Sequence, residues 1–284
     1  MVDRIYIGYI PEHATLSLTG LGVCLPVITA VMAFANLFGM GGAPLCSIER
    51  GRGNQKEAEA IMGNAFTLMV ICGILLTILG IVFRRPLLYL FGASDSTYPY
   101  AESYMTIYLL GSVFVMMGLG MNAFINSQGF GRIGMQTVLL GAVANIILDP
   151  VFIFGFRMDV RGAALATIIS QFLSAAWVLR FLFSDRSILR LKRETMMLKK
   201  ARVLKIVSMG MSSFAAGFTN SVVAVACNAT LQTWGGDLYV GVMTVIHSVR
   251  EIAENLVKGL TGGSQPVLGY NFGAGQYDRV KKAI

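Results

Sequence analysis

Charge is scarce in this chain, and that scarcity decides its class. Only 13% of its 284 residues are Asp, Glu, Lys or Arg, about half the share found in a soluble domain. With 55% hydrophobic residues and a mean hydropathy of +0.66, a water-soluble globular fold is excluded. Histidine occurs twice, at His13 and His247, and cysteine four times, at Cys24, Cys46, Cys72 and Cys227. The cysteines sit in apolar segments without CxxC or Cys/His spacing, so neither a metal site nor a disulfide framework is indicated. We read them as buried packing residues. No nucleophile, base or metal set stands at membrane depth, which argues against a membrane-embedded enzyme. GRGN at 51–54 and GAGQ at 273–276 are not phosphate loops, because no strand precedes them and no GK[ST] follows. The opening MVDRIYIGYI lacks the charged and apolar regions of a cleavable signal peptide.

What is present in quantity is apolar length. Runs long enough to cross a bilayer as helices cover about 18–48, 58–83, 98–127, 133–155, 160–183, 203–233 and 239–266. Residues 1–10 read as the last turns of a preceding helix. Turn signals separate the spans, among them FGAS at 91–94, MDVRG at 158–162 and WGGD at 234–237. The net charge of +8 collects in short loops and in the connector 184–202, not on a soluble face, which speaks against nucleic acid. Arg50, Arg52, Lys56, Arg132, the seven basic residues of the connector, and Arg279, Lys281 and Lys282 all fall on one side if the helices alternate. The positive-inside rule makes that side cytoplasmic. The connector reads as a solvated interlobe linker in preference to an amphipathic helix lying on lipid.

One aspartate stands near the end of an otherwise uncharged, strongly apolar stretch. Asp149 ends the stretch GMQTVLLGAVANIILDP, with Asn145 one turn earlier and Pro150 directly after. A carboxylate at membrane depth costs roughly 2.5–3.5 kcal/mol on insertion scales, so such groups usually face a cavity or bind an ion. The bland reading is an interfacial helix cap. Asn145 and Asp149 are four apart and share a helix face.

An internal repeat organises the chain. GMGGAP at 39–44 with GRGN matches TGGSQP at 261–266 with GAGQ. The offset is 222 residues throughout (263 minus 41, 266 minus 44, 275 minus 53). A repeat of that length holds about six helices, the usual size of half a transporter. The expected architecture is all-α and membrane-integral, with two six-helix lobes in the parent protein, of which this chain holds about eight helices. Residues 1–183 are the amino-terminal lobe, 184–202 the basic cytoplasmic linker, and 203–284 the start of the second lobe.

With these motifs in view, the chain resembles the multidrug and toxic compound extrusion (MATE) family of secondary transporters. The resemblance rests on VDRIYIG at 2–8, ERGRGNQKEAE at 49–59, NIILDPVFIFGF at 145–156, GAALATIISQ at 162–171 and QPVLGYNFGAGQYDRVKKA at 265–283. It implies a bacterial inner-membrane exporter, two helical bundles around a central cavity, and exchange of an organic cation for H+ or Na+. By that resemblance the cation-coupling group comprises Asp3, Asn145, Asp149 and Thr167, and Tyr104 and Asn122 line the cavity of the same lobe. Two carboxylates, an amide oxygen and a hydroxyl suit a hard monovalent ion. Alternatively, two close carboxylates would share one proton.

Arg250, Glu251, Glu254 and Lys258 interrupt the eighth span with i,i+4 pairs, read as a structural ion-pair ladder along the cavity rather than a substrate site. The expected partners are membrane lipid and small organic cations, with a monomeric protein, no nucleic acid, and no cofactor beyond the coupling H+ or Na+. The alternatives are a flippase for lipid-linked precursors, which would need an arginine-rich cavity, and a transport-inactive fragment.

Overall fold

The computed structural model describes residues 6–9 and 14–284, and most side chains between 218 and 258 lie outside that description. Every regular element among the described residues is helical. The order is α1 (Ala14–Gly51), α2 (Gln55–Val82), α3 (Arg84–Leu90), α4 (Tyr98–Leu110), α5 (Ser112–Ser127) and α6 (Gly131–Pro150). A π-helical segment (Val151–Gly155) continues α6, followed by α7 (Asp159–Phe183), a 3-10 turn (Arg193–Met196), α8 (Lys200–Gly273) and α9 (Tyr277–Ala283). Leu16–Gly51, Gln55–Val82, Gly131–Gly155 and Asp159–Phe183 are each long and apolar enough to cross a membrane. The expected span 98–127 is a broken one: α4 and α5 meet at 54°. Together these make an all-α, multi-pass membrane fold.

The break has a local cause. At Gly111 a Cβ would run into the side chain of Ile168, so α7 presses against this point. Thr77 Oγ1 on α2 donates to the Leu109 carbonyl at 2.6 Å, and Ser112 Oγ donates to Gly73 O at 3.1 Å. The Thr77 hydroxyl thus satisfies a backbone carbonyl at the break, as membrane kinks require.

The 222-residue repeat is visible in the backbone. Gly53 has φ +77° and Gly275 has φ +71°, the left-handed region that glycine enters at no steric cost. Around Gly53, Asn54 N donates to Glu49 O and Gly53 N to Arg50 O; around Gly275, Gln276 N donates to Asn271 O and Gly275 N to Phe272 O. Each acceptor and donor is displaced by 222 (271 minus 49, 272 minus 50). The two copies also touch. A Cβ on Gly51 would collide with Tyr270 O, and one on Gly273 would collide with Ile48 O, a reciprocal contact across a local two-fold relation.

These contacts settle the course of α8. Gly210 lies on Leu37 and Gly41 on Ile206 and Gly210, so the start of α8 runs antiparallel to α1. Gly269 lies on Ser47 and Gly273 on Ile48, so its end runs parallel to α1. A straight helix would hold Gly210 and Gly269 about 90 Å apart, yet both lie on the short stretch Leu37–Ile48. The 74-residue helical run therefore doubles back between them. The sequence places a turn at 234–237 within that interval.

The connector differs from its expected solvated state. From Ser187 to Lys192 it has no regular structure and bends at Ile188–Leu189, and its residues alternate inward and outward. Ser187, Leu189 and Leu191 are buried, while Ile188, Arg190 and Lys192 are exposed. Gln128, buried on the first lobe, accepts from Ser187 Oγ at 2.9 Å and Leu189 N at 2.8 Å. Asn64 of α2 is fully buried and donates to Thr195 O and Met197 O at 3.0 and 2.9 Å, while its Oδ1 accepts from Lys199 N at 2.9 Å. Glu59 takes Lys192 at 2.7 Å, and Glu57 takes Arg202 through two bonds of 2.8 and 2.6 Å. The linker is a strap, because buried side chains of α2 and α5 supply partners for its backbone.

Candidate cation and substrate site

Helices α1, α5, α6 and α7 each contribute a stripe to one cavity of about 680 Å3. From α1 come Leu21, Leu25, Ile28, Thr29 and Met32, at helical spacing. From α6 come Thr137, Gly141 and Asn145, and from α7 Thr167, Ser170, Gln171 and Ser174. Tyr104 and Tyr108 of α4 close one wall, their rings stacked with centroids 6.1 Å apart. Small residues make the close approach of α6 and α7 possible. A Cβ on Gly141 would strike Ser174 Oγ, which itself donates to Thr137 O at 3.2 Å. Among the described residues, none that lines it is Lys, Arg, Asp, Glu or His. The walls are hydroxyls, two amides, aromatic faces and aliphatic surface.

The carboxylate stands one turn beyond that lining. Asp149 is fully buried, and Asn145 Nδ2 donates to its Oδ1 at 3.2 Å. Asn145 thus connects the cavity with the acid. Directly after Asp149 the helix changes character: Pro150 is followed by the π-helical turn Val151–Gly155, and Arg157 and Asp159 then take left-handed φ of 52° and 49°. Single π-helical turns concentrate at functional sites. Gly162 packs on this segment so closely that a Cβ would lie 2.8–2.9 Å from the Phe152 and Ile153 backbone. That contact sets the start of α7, and so the height of Thr167, against the end of α6.

The structure brings Asn145, Thr167 and Tyr104 to one cavity and holds Asp149 against Asn145. Asn122 lies outside the lining; its Nδ2 donates to Gly134 O at 3.3 Å, joining α5 to α6. Asp3 lies outside the described residues, as do the side chains of Arg250, Glu251, Glu254 and Lys258. The Tyr6 ring meets Phe154 edge-on at 6.3 Å, which sets Tyr6 beside the π-helical turn. Sequence reasoning missed Tyr108, Thr137, Ser170, Gln171 and Ser174. The last three with Thr167 form an i, i+3, i+4, i+7 polar stripe in an apolar helix, a signal that periodicity alone could have supplied.

A family profile described as MatE matches residues 1–151. The chain belongs to the MatE family. Among curated relatives, the multidrug export protein MepA of Staphylococcus haemolyticus is 26% identical over 267 residues, covering 94% of this chain and 58% of that protein. MepA of Staphylococcus aureus is 24% identical over 281 residues, covering 98% and 62%. This MatE chain thus spans about three fifths of the relatives it matches. Among solved structures, a ligand complex of the MATE multidrug transporter DinF-BH superposes with a TM-score of 0.85 at 32% identity, covering 99% of this chain and 63% of that one. An outward-facing multidrug resistance MATE transporter of the MOP superfamily superposes at 0.91 with 22% identity, 99% of this chain and 62% of that one, a likeness of fold.

Proposed function

We propose that this chain is the larger part of a cation-coupled exporter of lipophilic organic cations, exchanging them for H+ or Na+ across a bacterial inner membrane. The observation that carries the reading is the neutral, tyrosine-walled cavity with a fully buried carboxylate reached through Asn145. Aromatic faces and hydroxyl oxygens attract a delocalised cation without a formal counter-charge, and the nearby Asp149 supplies the long-range attraction. When H+ or Na+ occupies the Asp149 group, completed by Asn145, Thr167 and Asp3, the attraction ends and the substrate is released. The ion drives exchange only through its different affinity for the two states. The connector end is proposed to face the cytoplasm, as its basic residues indicate. The described lining carries no Arg or Lys, which does not favour a phosphate-bearing lipid precursor.

The test is ethidium efflux from energised cells expressing the full-length protein beside an Asp149→Asn variant at equal membrane abundance. Efflux that the variant loses supports exporter and coupling site together. Equal efflux from both assigns Asp149 a structural part and ends the mechanism. No efflux from either moves the reading to another substrate class.

A further inference from the structure

The strap has an outer face that the transport reading does not use. Its inner residues are held by α2 and α5, but Met197, Leu198 and Ile188 point outward, with Met197 75% exposed. Around them stand Arg186, Arg193, Lys199, Lys200 and Lys205, all exposed and without an ion pair among the described residues. The acids of the strap do not cancel them. Asp185 pairs with Arg190 at 2.7 Å, which leaves Glu194 as the single exposed unpaired acid on the segment 184–200.

The height of this face is fixed by α2. Thr67 Oγ1 donates to Met196 O at 2.8 Å, and Asn64 Nδ2 to Met197 O. About 6 Å farther along the axis, four residues on from Thr67, α2 begins an exposed apolar series that includes Ile71, Ile74, Leu75 and Ile78. Before that point Ala58–Ala65 are all buried. An exposed apolar stripe on a spanning helix faces lipid, so the strap lies at the rim where that lipid-facing belt starts. Exposed Met and Leu at this height reach the acyl boundary, and the surrounding Lys and Arg reach the phosphate layer.

We propose that the strap is a lipid-docking element that binds anionic phospholipid headgroups at the connector face of the membrane. Met197 and Leu198 enter the acyl boundary, and Arg186, Arg193, Lys199 and Lys200 take headgroup phosphates. Basic clusters directly beside spanning helices are attracted to anionic lipid surfaces in this way. The consequence is that the connector is held twice, by α2 from inside and by lipid from outside.

The experiment uses full-length protein purified in neutral detergent and titrated with phosphatidylglycerol or phosphatidylcholine, with retained lipid counted by native mass spectrometry. The expected result is several-fold greater retention of phosphatidylglycerol. That preference falls to the phosphatidylcholine level in Arg186→Gln/Arg193→Gln/Lys199→Gln/Lys200→Gln. Equal retention by wild type and variant overturns the proposal. Displacement of the lipid by millimolar inorganic phosphate also overturns it, since the site would then be one for a soluble anion. A second readout guards against misfolding: a fluorophore at Leu198→Cys, on a background without native cysteines, is measured in nanodiscs. It is expected to shift to the blue when phosphatidylglycerol is included, and no shift overturns insertion. Formation of a cross-linked dimer through that cysteine in place of the shift assigns the face to a second copy and likewise overturns it.

Discussion

The connector end and the cavity end of the first lobe are built from opposite materials. At the connector end, helices meet backbone to backbone through Gly51 and Gly273, and the large buried polar side chains have protein partners. Asn64 saturates three backbone groups of the strap, Gln128 holds one more and the Ser187 hydroxyl, and Arg50 Nη1 donates to Ser127 O at 2.9 Å while its guanidinium lies 5.7 Å from the Tyr270 ring centroid. At the cavity end, the polar groups line open volume, and Ser170 Oγ is buried without a hydrogen bond among the described residues. Buried polar groups normally find partners. One end thus spends all its large buried polar groups on itself, whereas the other leaves the Ser170 hydroxyl unpartnered among the described residues.

The most forceful way to break that contrast is a wedge at the reciprocal glycine contact. Gly51→Leu must push α8 away from α1, since its Cβ alone would meet Tyr270 O. In full-length protein we expect ethidium efflux to fall by a hundredfold or more, equivalent to about 3 kcal/mol at roughly 1.4 kcal/mol per tenfold. Equilibrium binding of a fluorescent rhodamine cation should change little, because the cavity lies elsewhere. Parallel loss of binding would show that the two ends are not separable.

A smaller effect is expected at the strap. Asn64→Leu leaves Thr195 O, Met197 O and Lys199 N without their side-chain partner. At about 1 kcal/mol per hydrogen bond, the docked strap should lose roughly 2–3 kcal/mol. Trypsin cleavage in detergent, directed to exposed Arg193, Lys199 and Lys200, should then accelerate at least tenfold. Cleavage at the wild-type rate would mean that burial of Leu189 and Leu191 suffices.

These two sites also mark what was legible in the sequence. Five spans could be read because apolar length leaves a helix no alternative in lipid. The glycine pair could be read because Gly51 and Gly273 sit in a repeat with a fixed offset. The strap could not: Ser187 faces inward and Ile188 outward, the reverse of what hydropathy suggests, since the inward side is chosen by the amide of Gln128. Asn64 is one polar residue in a 28-residue helix, and nothing local distinguishes a clasp from a tolerated amide. At the cavity, Asn145 and Asp149 announced themselves by polarity at depth. Asn122 is as polar and ties two helices together, because only the rotation of α5 decides which way it points.

Within the cavity, removing one aromatic wall sharpens the contrast from the other side. Tyr104→Ala deletes a ring that is buried and stacked on Tyr108. Loss of a desolvated aromatic face opposite a cation is worth about 1–2 kcal/mol, so affinity for the rhodamine cation should fall roughly five- to thirtyfold. Tyr104→Phe should retain most of it. A variant that loses efflux without losing binding would place this wall in coupling instead of recognition.

The smallest effect tests the repeat itself. Gly53→Ala and Gly275→Ala each force a Cβ into the left-handed region, at about 1–2 kcal/mol, and neither meets a neighbouring atom within 4 Å. Backbone conformation is thus the whole of the penalty at both positions. The two variants should lower thermal stability by equal amounts, about two to three degrees in a protein of this size. The double variant should show the sum, because each turn satisfies its own hydrogen bonds locally. Unequal losses would mean that the second turn carries a load the first does not, since it alone leads into α9. A double loss smaller than the sum would couple the turns through the Gly51–Gly273 contact, and the connector end would then respond as one unit.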